Sequence, residues 1–190
     1  MSLKQKVIAI DGPSASGKGT VASRVAEALG FLYLDSGALY RLTALYAQKQ
    51  NVAWTDEDAV STLAENLPAQ FEGSVVLLNG EDVSEQIRTE AIGMGASAVA
   101  QLPKVRTALL QRQRDFLTEK GLVADGRDIG SVIFPDAALK IFLTASANVR
   151  AQRRAKQLSI PCEGVEFERI LSDIEARDEA DRRRPVAPLK

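Results

Sequence analysis

"IDGPSASGKGT", Ile10 to Thr20, decides the fold of this chain. Gly12, four residues, then Gly17 and Lys18 is the spacing of a phosphate-binding loop. The hydroxyl expected after the lysine is displaced, with Gly19 in its place and Thr20 one residue later. Upstream, "KVIAID" (Lys6 to Asp11) is a β-branched run ending in a Gly-Pro turn, which reads as a buried strand. Downstream, Val21, Val25, Ala28 and Leu29 recur at helical spacing, and Gly30 is placed to stop the helix. Strand, glycine loop and helix in that order give the loop its mechanics. Backbone N–H groups turn inward around phosphate oxygens, the helix adds its positive end, and Lys18 reaches the β- and γ-phosphates.

The rhythm continues outward. "FLYLD" (Phe31 to Asp35) reads as a second strand, and Leu39, Leu42, Thr43 and Tyr46 mark a second helix. Alternating strands and helices predict an α/β fold with a parallel sheet wrapped by helices. The middle of the chain breaks the alternation. "TDEDAVSTLAENLP" is a short helix stopped by Pro68, and residues from about Gln70 to Val83 form a small antiparallel insertion with Asn79-Gly80 as a hairpin turn. Helix resumes near Glu85 and restarts at Pro103, a good first-turn residue, to run to Gly121. "LVADG" and "LKIFL" are two further strands. A charged helix begins near Ala147, "SIPCEG" (Ser159 to Gly164) is a loop, and a last charged helix runs to about Arg184.

Composition narrows the function classes. The 190 residues suit one domain, with 45% hydrophobic and 26% charged residues and a formal net charge of -1. No overall basic field attracts nucleic acid or an anionic membrane, so an anion site must come from local clustering of Arg and Lys. One cysteine excludes an intrachain disulfide and suits a reducing cytoplasm. No apolar run spans a bilayer and no signal peptide is evident. The chain has no histidine, which removes Ser-His nucleophile pairs and the commonest general base. Phosphoryl transfer survives that loss because it depends on positioning and charge neutralisation.

Four further constellations carry chemistry. "DSGALYR" (Asp35 to Arg41) places Ser36, Tyr40 and Arg41 at a strand's carboxyl end, where open α/β sheets bind ligands. "ADGRDIG" (Ala124 to Gly130) puts Arg127 and Asp128 at another strand end. Arg150, Arg153 and Arg154 share one helical face, and Arg177, Asp181 and Arg184 share another. Taken singly, the first two also read as a helix cap and a surface turn, and the arginine faces as solvated helix surface. Beside a phosphate loop, permanently charged bidentate arginines meet a specific need.

These residues together resemble the bacterial cytidylate (CMP) kinases, in the same order over essentially the whole chain: "DGPSASGKGT", "LDSGALYR", "RTE", "ADGRDIGSVIFPDA", "KIFLTAS" and "RDEADRRRPVAPL". The resemblance implies a P-loop nucleoside monophosphate kinase fold, with parallel sheet order 2-3-1-4-5. It implies a single domain whose core is 1–35, 97–149 and 165–190, with a monophosphate-binding insertion at about 36–96 and a lid at about 150–164. Family members continue past "PLK", so the fifth strand and last helix are expected to be missing from this chain. Gly12, Pro13, Ser14, Ala15, Ser16, Gly17, Lys18, Gly19 and Thr20 would hold the triphosphate of ATP. Arg41, Arg127 and Arg184 would clamp the CMP phosphate. Ser36, Ser97, Arg106 and Asp128 would surround the cytosine with Tyr40 nearby, and Arg177 and Asp181 would contact the ribose, which accommodates dCMP. Arg150, Arg153 and Arg154 would close over the transferred group. With Lys18, Arg127 and Arg184 they form the expected catalytic set. Mg2+ is expected through the nucleotide phosphates and water, without a direct protein cage.

The resulting expectation is an ATP-dependent CMP and dCMP kinase, monomeric and cytoplasmic, with neither nucleic acid nor membrane as partner. The alternatives are a P-loop kinase for UMP, AMP or a small metabolite, and a non-enzymatic nucleotide switch. A switch of the common GTPase type would carry an Asn-Lys-x-Asp signature, which the chain lacks.

Overall fold

A computed structural model describes residues 6–183. In chain order the elements are β1 (Val7–Asp11), α1 (Lys18–Leu29), β2 (Leu32–Asp35), α2 (Ser36–Lys49), α3 (Glu57–Glu65), β3 (Ala69–Glu72), β4 (Val75–Leu78) and β5 (Glu81–Asp82). A 3-10 turn (Gln86–Arg88) leads into α4 (Glu90–Val99) and α5 (Pro103–Arg114). Then come β6 (Leu122–Gly126), a π-helical turn (Ile129–Ile133), β7 (Leu139–Phe142), α6 (Ala147–Gln157) and α7 (Val165–Arg183). These residues form two compact units, one up to Leu34 and from Phe116 onward, the other Asp35–Asp115.

The first unit holds a sheet in the order β2-β6-β1-β7. Numbering only its strands along the chain, this is 2-3-1-4, as expected for the first four strands of the family sheet. β1 lies at the centre, parallel to β6 on one side and β7 on the other, with Asp11 level with Gly126 and Phe142. Central position explains the β-branched run: Val7, Ala9 and Ile10 are fully buried. α1 forms where the helical spacing predicts it, and of the apolar residues that mark it Val25 packs on the core. Ala22 and Ala26 pack on Ile10 and Val123, while Val21 and Leu29 stay exposed. Two small alanines a turn apart let the helix pack closely on the sheet. Gly30 ends α1 in the left-handed conformation (φ 64°), its N–H bonded back to the helix. α6 and α7 pack through Ala151, Ala155, Phe167 and Ile174.

The second unit is helical, with a three-stranded antiparallel sheet β3-β4-β5. Asn79 and Gly80 both have positive φ between β4 and β5, as the hairpin reading required. Asp35, Asp56 and Thr89 cap α2, α3 and α4 with side-chain oxygens. Gly95 sits under Trp54, where a Cβ would enter the indole ring. α5 stops at Arg114 and does not run to Gly121. The run Phe116–Lys120 turns back instead, and Gly121, at φ 89°, sends the chain into β6. No helix among the described residues is long and apolar enough to cross a membrane.

Candidate active site

The glycine loop joins the carboxyl end of β1 to α1. A Cβ at Gly12 would collide with the carbonyl oxygen of Leu143, so backbone occupies the space a side chain would need. Ala15 (φ 55°) and Gly17 (φ 90°) are left-handed, and alternating handedness turns successive N–H groups toward one concavity. Gly17 is the N-cap of α1, so the loop delivers that concavity to the helix's positive end. Lys18 is buried and donates to the Pro13 carbonyl at 3.1 Å, arching across the loop. The hydroxyls of Ser14 and Ser16 are buried with no hydrogen-bond partner among the described residues. Thr20 is exposed on the first turn of α1. A Cβ at Gly19 would lie 3.4 Å from the Tyr33 hydroxyl and 3.8 Å from Asp125 Oδ2. Tyr33 donates to that same Asp125 oxygen at 2.6 Å.

Two arginines of α6 hold the loop from outside. Arg150 is buried and forms a bidentate pair with Asp178 of α7, Nη1 to Oδ1 at 2.9 Å and Nη2 to Oδ2 at 2.5 Å. It also donates to the carbonyls of Ala145 (2.9 Å) and Ser14 (3.1 Å). Arg153 donates to the Ser16 carbonyl at 3.1 Å, whereas Arg154 turns to Gln157 of its own helix. Pro13, Ser146, Arg150, Asp178 and Arg182 border a cavity of about 750 Å³ beside the loop.

The turn after β6 carries Arg127 and Asp128. Arg127 Nε donates to Asp181 Oδ2 at 2.7 Å, joining two residues that the sequence had placed on separate motifs. Asp128 is buried and opens the π-helical turn. Beneath them Asp11 accepts N–H bonds from Ile129 and Gly130, both at 2.8 Å. Burial pushes the Asp11 carboxyl above its ordinary range and Asp128 adds to the rise, while the two backbone bonds and Arg127 oppose it. Arg177 is half-buried on α7. Arg184 lies outside the described residues.

Within the second unit, Ser36 is buried at the start of α2 and donates to Gln113 Oε1 at 2.7 Å. Arg106 lies 5.5 Å from the centre of the Tyr40 ring and donates to the Ala100 carbonyl. Arg41 donates to the Ile87 carbonyl at 2.8 Å. Ser97 bonds within its helix, to the Gly93 carbonyl.

The family model for cytidylate kinase matches residues 8–190. The chain belongs to the cytidylate kinase family. The cytidylate kinase of Neisseria meningitidis serogroup B (strain MC58) is 80% identical over 187 residues, 98% of this chain and 86% of that protein. Cytidylate kinases of Chromobacterium violaceum and Pseudomonas syringae pv. tomato are 60% and 56% identical, over 97% and 100% of this chain and 83% and 86% of theirs. Against this cytidylate kinase background, five residues stand out that motif reading did not single out for the site: Asp11, Tyr33, Gln113, Asp125 and Asp178. Asp11 and Asp125 were visible as acids closing buried strands beside glycine turns. Gln113 and Asp178 carried no signal, since polar residues on charged helices read as surface.

Proposed function

We propose that this member of the cytidylate kinase family transfers the γ-phosphoryl group of ATP to CMP, and to dCMP. The observation that carries the reading is the built phosphate loop, with its left-handed residues, its N-terminal helix end and two arginines bracing its carbonyls. The buried hydroxyls of Ser14 and Ser16 support it, because an unmet buried hydroxyl costs about 1–3 kcal/mol and phosphate oxygens would meet it. The cavity beside Pro13 is of a size for the donor's nucleoside.

The acceptor is itself an anionic phosphate, so its oxygen attacks without a strong base, and a chain without histidine loses nothing. Lys18 would leave the Pro13 carbonyl for the donor's β- and γ-oxygens. Arg127 and Arg41, with Arg184, would hold the acceptor phosphate in line, and Asp181 keeps the Arg127 fork oriented. Ser36, Tyr40, Ser97, Arg106 and Asp128 would read the cytosine, and Arg177 and Asp181 the ribose. Arg153 and Arg154 would supply charge to the equatorial oxygens, with Arg150 acting through the loop backbone it holds at Ser14. Thr20 follows Gly19 on α1, and Asp125 Oδ2 lies 3.8 Å from where a Gly19 Cβ would stand; both residues carry the oxygen donors a hard cation takes and would serve Mg2+ through water. Bound there with the phosphates, Mg2+ would neutralise charge that develops on the transferring group. The same reading takes the chain as one cytoplasmic, monomeric kinase domain with insertion 36–96 and lid 150–164, the lid excluding water during transfer.

An ADP-release assay over CMP, dCMP, UMP and AMP tests it. CMP and dCMP should give the highest kcat/KM. Preference for AMP over CMP would overturn the substrate assignment.

A further inference from the structure

Asp11 is buried, has both carboxylate oxygens engaged, and has no part in the transfer as described above. Its partners lie 118 and 119 residues away in the chain, at Ile129 and Gly130. On the other side of the same turn, the Gly12 N–H donates to the Gly126 carbonyl at 3.2 Å. Arg127 and Asp128 are the two residues between these anchors. The corner that holds them is itself fixed, because Leu143 N–H donates to the Asp11 carbonyl at 2.8 Å. The turn is also seated from above: a Cβ at Gly130 would stand 3.1 Å from Lys140 and 3.4 Å from Ala9.

We infer that Asp11 is a positioning residue that sets Arg127 and Asp128 for the acceptor from the same corner that opens the donor's phosphate loop. The inference rests on the kinase reading above. A carboxylate suits the task because it alone offers two acceptor oxygens to two adjacent amides. Asparagine keeps the shape but turns an NH2 group toward one of those N–H groups. Glutamate keeps both acceptors on an arm longer by one methylene. Two residues between two anchors leave little slack, so a loosened anchor moves both side chains. Displacements of this kind act on transition-state alignment more than on ligand affinity elsewhere.

The test uses Asp11→Asn and Asp11→Glu in the full chain, with folding followed by circular dichroism. Steady-state kinetics are read for each substrate, and ATP affinity by calorimetry. Asp11→Asn should lower kcat/KM for CMP by about 30-fold or more while ATP affinity shifts by less than about threefold. Asp11→Glu should restore part of the loss. A folded Asp11→Asn protein with CMP kinetics within about twofold of the parent overturns the inference. So does an ATP affinity that falls by the same factor, since Asp11 would then serve only the loop. Should Asp11→Asn not fold, Asp11→Glu carries the test through amide exchange. Ile129 and Gly130 should exchange about tenfold faster than in the parent with ATP affinity retained, and unchanged exchange overturns the inference. If the parent protein takes a different acceptor, the CMP assignment fails by itself, and the same comparison is run with that acceptor.

Discussion

Removing the carboxylate of Asp178 isolates the brace between α6, α7 and the phosphate loop. The Arg150 and Asp178 side chains are only 4% and 7% exposed, and they share two parallel hydrogen bonds. Asp178→Ala leaves the Arg150 guanidinium buried, with the Ala145 and Ser14 carbonyls as its remaining partners. Breaking a buried pair from one side costs about 3–5 kcal/mol. The two surviving bonds put the expected loss at the lower end, about 3 kcal/mol. For a chain of this size that lowers Tm by about 6–12 °C. Urea unfolding gives the free energy and a thermal scan gives Tm. The double variant Arg150→Met, Asp178→Leu should recover part of the stability, because a packed apolar pair commonly matches a buried ion pair, while the Ala145 and Ser14 carbonyls still lose their donor. Asp178→Ala within about 2 °C of the parent would refute the argument, since it would mean that water or a neighbouring group satisfies Arg150 as well as the carboxylate does.

Gly19→Ser tests the displaced hydroxyl. Its Cβ would meet the Tyr33 hydroxyl at 3.4 Å, an ordinary contact, so stability should stay within about 1 kcal/mol while CMP turnover falls. Unchanged turnover would show that the loop merely tolerates a glycine there. Asp11 gives a pH signature. Its folded pKa is raised above the ordinary 3.8, so the folded state holds this proton more tightly than the unfolded chain does. The resulting stability is complete below pH 3.8 and is lost as pH rises through the folded pKa. Tm of the parent minus Tm of Asp11→Asn should therefore shrink from acid toward neutral pH. A difference that is flat with pH would remove the assigned shift.

The centre of the fold was legible because several signals coincided on Ile10–Thr20. A β-branched run, glycines at fixed spacing and a helical period all point to the same strand, loop and helix. The spacing marks α1 as a helix but not the face it buries, because two alanines look less apolar than Val21 and Leu29, and only tertiary packing ranks them. The end of α5 was misread because nothing in Phe116–Lys120 forbids helix. Candidate site residues can be named from sequence where the proposed chemistry needs a particular side chain, as with Lys18 and Arg127. They were hidden where one partner is backbone or a distant helix. Asp11 bonds to amides that any residue would offer, and Asp178, one more acid on a charged helix, reads as solvated until α6 is packed against it. Arg150 carried the right residue type, but its four bonds to the protein come from tertiary placement alone.

Gly12 determines where this loop can be altered. The Leu143 carbonyl fills the space above its α-carbon, so alanine is excluded as firmly as tryptophan, and the barrier is backbone that no rotamer change can move aside. A change at Gly12 would be felt at Leu143, at the Ala145 carbonyl two residues on, and so at Arg150. Ala15 is the opposite case, exposed and already left-handed, where glycine would relax the backbone without touching a neighbour. Adjustment of nucleotide affinity by design or by drift therefore has its latitude at the crest of the loop, and its entrance admits one residue.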